Sequence, residues 1–135
     1  MEKFKYLEHT ADIKFRADGK TIEEAFKNSA LATFKAMYNK KIKPIKSFSI
    51  KTQGKDFESL LYNFLEELII LMDSKGFFLS GVKKIKIKDN VLTAEVVGDH
   101  ARNYKIGLDV KAITYNDMFV MKIKNKWVVQ VVLDV

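Results

Sequence analysis

Ala11-Asp12-Ile13-Lys14-Phe15-Arg16-Ala17-Asp18-Gly19-Lys20-Thr21-Ile22-Glu23-Glu24 is the stretch whose reading decides the fold. In its first half Ala11, Ile13, Phe15 and Ala17 alternate with Asp12, Lys14, Arg16 and Asp18, the period of a strand with one face on a core. Asp18-Gly19 marks a turn. Thr21, followed by Glu24 three residues on, has the spacing of a capping box, in which each side chain satisfies a backbone amide at a helix start. A half-buried strand that runs straight into a capped helix predicts a domain mixing both elements.

Outward from this stretch, Phe4 to Glu8 reads as a first strand, interrupted near His9 and Thr10. Ile22, Phe26, Ala30, Thr33, Phe34 and Met37 carry the helix to about Asn39 with one buried stripe. A basic connector with the only proline, Pro44, leads to an alternating strand over Ser47 to Thr52. Asp56 is a good N-cap for a second helix. Leu60, Leu61, Phe64, Leu65, Leu68, Ile69 and Met72 give that helix the wider apolar face, so it is expected to be the more buried of the two. Lys75-Gly76 closes it with a cation at the negative end of the dipole and a glycine for the left-handed cap.

Beyond Gly76 the helix signals stop. Val82 to Lys88 and Val91 to Val97 form a hairpin about Asp89-Asn90, with a lysine row suited to an exposed sheet face or edge. Leu108 to Tyr115, Met118 to Lys124 and Trp127 onward read as three further strands, with turns at Asn116-Asp117 and Asn125-Lys126. The expectation is a single α+β domain over residues 1–135. Its architecture is read as a two-layer sandwich, both helices covering one face of a mixed, largely antiparallel sheet of about seven strands.

Composition narrows the chemistry. The chain of 135 residues is 47% hydrophobic, enough for one packed core. Cysteine is absent, which removes disulfides, thiolate metal sites and thiol nucleophiles and suits a reducing, cytoplasmic setting. No signal peptide and no membrane-spanning apolar run is legible. The formal net charge of +7 invites a polyanion partner. Only Arg16 and Arg102 are arginines, however, and lysine is the poorer residue for bidentate phosphate or base recognition. Lysine enrichment is also a habit of proteins from hot environments.

Asp18-Gly19-Lys20-Thr21, with Val131-Val132-Leu133-Asp134, imitates a nucleotide-binding loop and its acidic strand. The glycine needed five residues before Gly19 is replaced by Lys14, so no loop of amides can wrap a phosphate. His9, three residues before Asp12, is either a base or ligand or a structural hydrogen-bonding residue at the strand interruption. Asp12 and Asp134 are two unrelated surface acids unless the first and last strands are neighbours. If they meet, their repulsion demands a cation or a proton, and carboxylates beside the oxygens of Val135 suit a hard ion such as Ca²⁺ or Mg²⁺. Lys111, in Asp109-Val110-Lys111-Ala112-Ile113-Thr114-Tyr115, is read as a strand residue opposing Val110 and Ala112. There it is either solvated or able to meet a phosphate or a partner's carboxylate.

Taken in order, Glu8-His9-Thr10-Ala11-Asp12, Gly19 to Phe26, Asp56 to Leu61, Val110 to Tyr115 and the closing Leu133-Asp134-Val135 resemble the archease family nearly end to end. Asn116 departs from the pattern, since many members carry a histidine after the Thr-Tyr. The resemblance implies a non-catalytic accessory protein that activates the RtcB-type RNA ligase of tRNA splicing. It would promote the ligase's guanylylation and multiple turnover and broaden its use of nucleotide triphosphates, with tRNA reached only through the ligase. It further implies a divalent metal, Ca²⁺ before Mg²⁺ or Mn²⁺, on Asp12, Asp134 and Val135, and an activating role for Lys111, beside His9. The competing readings are a lysine-rich RNA-binding or chaperone-like module and an independent metal-dependent phosphoesterase.

Overall fold

The computed structural model describes residues 3–8 and 11–135. The elements run β1 (Phe4–Leu7), β2 (Ile13–Gly19), α1 (Ile22–Met37), β3 (Lys46–Gln53), α2 (Phe57–Lys75), β4 (Phe77–Lys88) and β5 (Val91–His100). A short 3-10 turn (Ala101–Asn103), β6 (Ala112–Ile123) and β7 (Lys126–Asp134) follow. The chain is α+β, with two helices and seven strands among the described residues, as its periodicity predicts. No helix among those residues is long and apolar enough to cross a membrane.

The strands form two sheets where the sequence suggested one. One sheet has the order β1-β2-β7-β6 and the other β3-β5-β4, and the paired strands in both are antiparallel. The α1 helix packs on β2 and β7 of the first sheet and on β4 of the second, and α2 packs on β6 of the first and on β3 and β4 of the second. The helices are therefore held between two sheets and do not cover one face of a single sheet. Alternation in a strand reports which side chains point inward, and it is silent on which sheet the strand joins.

This enclosure reverses the expected order of burial. Nine residues of α1 are buried, against six in the longer α2. Ala25, Ser29, Ala30 and Ala32 are too small to hold the sheets away, and each is fully buried. The polar groups enclosed with them are satisfied. Asn28 Nδ2 donates to the Asp18 carbonyl at 2.7 Å, Ser29 Oγ to the Ala25 carbonyl at 2.8 Å, and Thr33 Oγ1 to the Ser29 carbonyl at 2.9 Å. Rings join the layers, Phe26 against Phe64 between the helices and Phe34 edge-on to Phe78 of β4.

Both helices begin in the same way, with a glycine and a lysine immediately before the capping residue. Thr21 Oγ1 accepts from the Glu24 amide, and the Glu24 carboxylate accepts from the Lys20 amide. At α2 the Asp56 carboxylate accepts from the Ser59 amide, and Ser59 Oγ accepts from the Asp56 and Lys55 amides. A Cβ on Gly19 would lie 2.5 Å from the Ala25 nitrogen, and one on Gly54 2.5 Å from the Leu60 nitrogen. Only glycine lets each strand end press on its helix so closely. Two strands predicted from sequence, Leu108 to Tyr115 and Met118 to Lys124, are one strand, β6. Asn116-Asp117 is part of a bulge in which four residues between Thr114 and Phe119 oppose only Val131.

At the far end of β5 the buried Asp99 ties three segments together. It accepts from the His100 amide at 2.7 Å, Asn103 Nδ2 at 3.2 Å and the Tyr104 hydroxyl at 2.8 Å. The Tyr104 hydroxyl in turn accepts from the Lys43 amide at 3.0 Å. The Tyr104 hydroxyl first, and then the His100 amide, hold the Asp99 carboxyl below the usual carboxylate range.

Two outcomes follow from these contacts. Gly19→Ala is expected to lower the free energy of unfolding by about 1–3 kcal/mol, the range of overpacking against a backbone that cannot yield, measured by urea denaturation. Because the folded-state pKa of Asp99 is depressed, its stabilisation is present above the unfolded value of about 3.9 and is lost as pH falls through the lower folded value. Asp99→Asn is therefore expected to be less stable at neutral pH and to show a shallower loss of stability below about pH 4, read from unfolding curves across pH.

Candidate functional site

The first sheet has a face turned away from the helices, and the polar residues of β2 and β7 gather there. Phe15, Ala17, Val129, Val131 and Leu133 point to the core and are essentially fully buried. Lys14, Arg16, Gln130 and Val132 alternate with them on the outer face, Lys14 opposite Val132 and Arg16 opposite Gln130. Gln130 and Val132 are nonetheless only 6% and 0% exposed. The β6 bulge is tied across this face: Gln130 Nε2 donates to the Asp117 carbonyl at 2.7 Å, and Arg16 Nε donates to Gln130 Oε1 at 2.8 Å. Lys14 Nζ lies 3.1 Å from the Asp117 carboxylate, and the Arg16 guanidinium sits 5.6 Å from the centroid of the Phe119 ring. Asp117 itself has φ 54°, the left-handed backbone that turns the bulge.

At one end of this face lie the acids singled out by sequence. The β2–β7 ladder ends on the pair Ile13 and Leu133, so Asp12 and Asp134 are each the next residue beyond it. Asp134 is exposed and Asp12 half-buried. Ala11 has φ 62°, so the chain turns through the left-handed region immediately before Asp12, an uncommon conformation for alanine and one that concentrates at functional positions. Lys111 is exposed and stands just before β6, in irregular chain and not in a strand as expected. Its amide donates to the Asp134 carbonyl at 2.8 Å, and Ala112 pairs with Asp134. Buried Val110 anchors the approach, and half-buried Val135 packs against the core. His9 lies outside the described residues.

The structure thus brings Asp12, Asp134, Val135 and Lys111 to one end of three adjacent strands. Carboxylates beside backbone carbonyls are hard oxygen donors, the chemistry that suits Ca²⁺ or Mg²⁺. Among the described residues no group of three or more His, Cys, Asp or Glu is gathered at one place. Asn116 is in the bulge, its amide donating to Thr114 Oγ1 at 3.3 Å. Beside it Tyr115, 53% exposed, stacks on Tyr62 of α2 with ring centroids 4.3 Å apart and planes 6° from parallel. A hydrogen bond to Glu66 raises the pKa of the Tyr62 hydroxyl, and burial raises that of Tyr115.

The residues that sequence reading passed over are Gln130, Arg16, Lys14 and Asp117. Gln130 carried a signal, as the one polar residue in the run Val128 to Leu133, and Lys14 and Arg16 share the period-2 face of Asp12. Asp117 carried none, because its place depends on the bulge. Gln130→Leu keeps the volume but removes both the donor to the Asp117 carbonyl and the acceptor for Arg16. It is expected to lose about 1–3 kcal/mol of stability, with faster amide hydrogen exchange over residues 115–118.

The family model for the Archease protein family matches residues 4–135. A protein archease of Thermococcus kodakarensis is 40% identical over 141 residues, covering 99% of each chain, and one of Pyrococcus furiosus is 39% identical over 142 residues, covering 100% of each. The solution structure of a Methanobacterium thermoautotrophicum protein, 30% identical, superposes with a TM-score of 0.83 over all of both chains. The crystal structure of an archease from Thermotoga maritima, described as a possible chaperone, shares the fold at 23% identity with a TM-score of 0.68, covering 97% of this chain and 96% of its own. With a family match over nearly its whole length and full-length relatives at this level of identity, the chain belongs to the archease family.

Proposed function

We propose that this protein is a non-catalytic activator of an RtcB-type RNA ligase and that it acts through the end of the first sheet where Asp12, Asp134, Val135 and Lys111 converge. The reading is supported above all by the register: the ladder ends on Ile13 opposite Leu133, and the Lys111 amide is fastened to the Asp134 carbonyl, in a chain that belongs to the archease family. Asp12 and Asp134, with oxygens of Val135 and water, would hold a divalent cation, Ca²⁺ first among the candidates. The ion would supply positive charge between two carboxylates that otherwise repel each other.

The chain's own residues do the rest. The anchored Val110 and the Lys111–Asp134 hydrogen bond hold the Lys111 ammonium near that end of the sheet, placed to meet a triphosphate or an acidic ligase segment. The Lys14–Asp117 and Arg16–Gln130 contacts keep the adjoining face rigid. A rigid surface activates by binding the guanylylation-competent state of the ligase more tightly than the other state, since equal affinity shifts no equilibrium.

Single-turnover guanylylation of the ligase is expected to accelerate with wild type and to lose about tenfold or more of that acceleration with Asp12→Asn, Asp134→Asn or Lys111→Ala. In the absence of ligase, Ca²⁺ at about a hundred times its Kd is expected to raise the stability of wild type by about 2.7 kcal/mol, seen as a higher Tm, and to leave both aspartate variants unmoved. Full acceleration by both aspartate variants would reject the metal pair as the working part of the surface.

A further inference from the structure

The charge of this protein is unevenly distributed. Residues 40–53 and 77–100, which form the second sheet and the connector into it, carry nine lysines against three acids, Asp89, Glu95 and Asp99. The remainder of the chain holds 15 cations against 14 acids, so it is nearly neutral. Six of the nine lysines belong to the strands of the sheet and three, Lys40, Lys41 and Lys43, to the connector, so that sheet and connector together carry most of the net charge of +7. A general enrichment in lysine would spread over every face.

The register shows how those lysines are arranged. On the face of the second sheet turned away from the helices, β4 presents Lys84, Lys86 and Lys88, β5 presents Glu95, Thr93 and Val91 beside them, and β3 presents Ser49, Lys51 and Gln53. All four lysines are exposed. Successive lysines of one strand face are about 7 Å apart along it, and Lys51 stands about 10 Å from Lys86 across Thr93. Glu95 is the one acid of the face. The bulge between Val82 and Lys84 brings Lys83 to it at 3.8 Å. Among the described residues no carboxylate forms an ion pair with Lys51, Lys84, Lys86 or Lys88. Lys51, Lys86 and Lys88 therefore form a cationic ladder with no acid opposite any of them in the register, Glu95 lying opposite Lys84 and within reach of Lys83.

We propose that this outer face of the second sheet is a docking surface for the phosphodiester backbone of double-stranded nucleic acid, separate from the acidic end of the first sheet. The chemistry selects this occupant over an acidic protein. Protein interfaces concentrate aromatic residues, methionine and arginine at their centres and are depleted in lysine. This face has no aromatic or arginine anchor, only Val91 and Val97 half-exposed. Lysine is a flexible point charge, adequate for phosphates spaced along a backbone and poor at reading bases, so binding is sequence-independent and rests on counterion release. With no exposed ring on the face to stack an unpaired base, a duplex is preferred to a single strand.

The test uses the full chain without any ligase, so its result is independent of the activation proposed above. Fluorescence anisotropy with a 20-base-pair RNA duplex, a DNA duplex and an RNA single strand of the same sequence, and poly-glutamate is measured between 50 and 200 mM salt. Wild type is expected to bind both duplexes with a slope of log K on log salt of about −3 to −4, the value for four phosphate contacts. Lys84→Gln/Lys86→Gln/Lys88→Gln is expected to lose at least about tenfold in affinity at the lowest salt and to flatten the slope by about 2–3. Lys84→Arg/Lys86→Arg/Lys88→Arg keeps the charges and is expected to bind within about threefold of wild type, as is the control Lys5→Gln/Lys122→Gln/Lys124→Gln on the first sheet. Failure of wild type to bind either duplex, an equal loss in the control, or binding of poly-glutamate or the single strand as tight as that of the duplexes would overturn the proposal.

Discussion

The antiparallel ladder between Ile13–Gly19 and Trp127–Leu133 is the contact on which the rest depends. It pairs residues more than a hundred positions apart and lays the first sheet over α1, which packs on both of its strands. The inward side of the ladder, Phe15 and Ala17 against Val129 and Val131, is core. Its outward side carries Lys14, Arg16 and Gln130, and its end delivers Asp12 and Asp134. One register thus sets both the packing and the candidate chemistry. A slip of one residue would exchange the two faces, placing Lys14 and Arg16 against α1.

The second constraint is the width of α1. A helix between two sheets has no solvent stripe to spare, and α1 meets this by using alanine and serine where sheets approach on both sides, leaving Glu24 and Lys35 as its exposed residues. Its buried Asn28, Ser29 and Thr33 are tolerated because each finds a nearby carbonyl. The enclosing sheets consequently have outer faces with no structural duty toward the core. The first carries paired charges, Lys14 with Asp117 toward the acidic end and Lys126 with Asp18 at the opposite end of the ladder, whereas the second carries the unbalanced lysines. The division gives the molecule two surfaces of different electrostatic character, joined through one core.

Much of this was legible in the residues alone, and the exceptions share a cause. The strand over Ile13 to Ala17, the Thr21 and Asp56 caps, the Gly76 left-handed cap and the Asp89-Asn90 turn all follow from interactions within a few residues, and all are present. The α+β class follows from them. Asp12 and Asp134 could be picked out as acids at the ends of two apolar alternations. What failed was each inference that needed a distant neighbour: α1 as the less buried helix, Asn116-Asp117 as a turn, Lys111 within a strand, one sheet in place of two. The small residues of α1 read as a weak apolar stripe, although smallness is the property that admits a second sheet.

By itself, then, the sequence determined the local elements, the inward and outward side of each strand and the family the chain resembles. Each of these depends on backbone preference or side-chain chemistry that acts over a few bonds. Only the tertiary structure decided that β2 lies beside β7, that a bulge reaches Gln130, and that β3 and β4 flank β5 so that their lysines share one face. Such pairings are chosen by burial of the whole core at once, a sum over contacts distant in the chain that no single stretch of residues encodes.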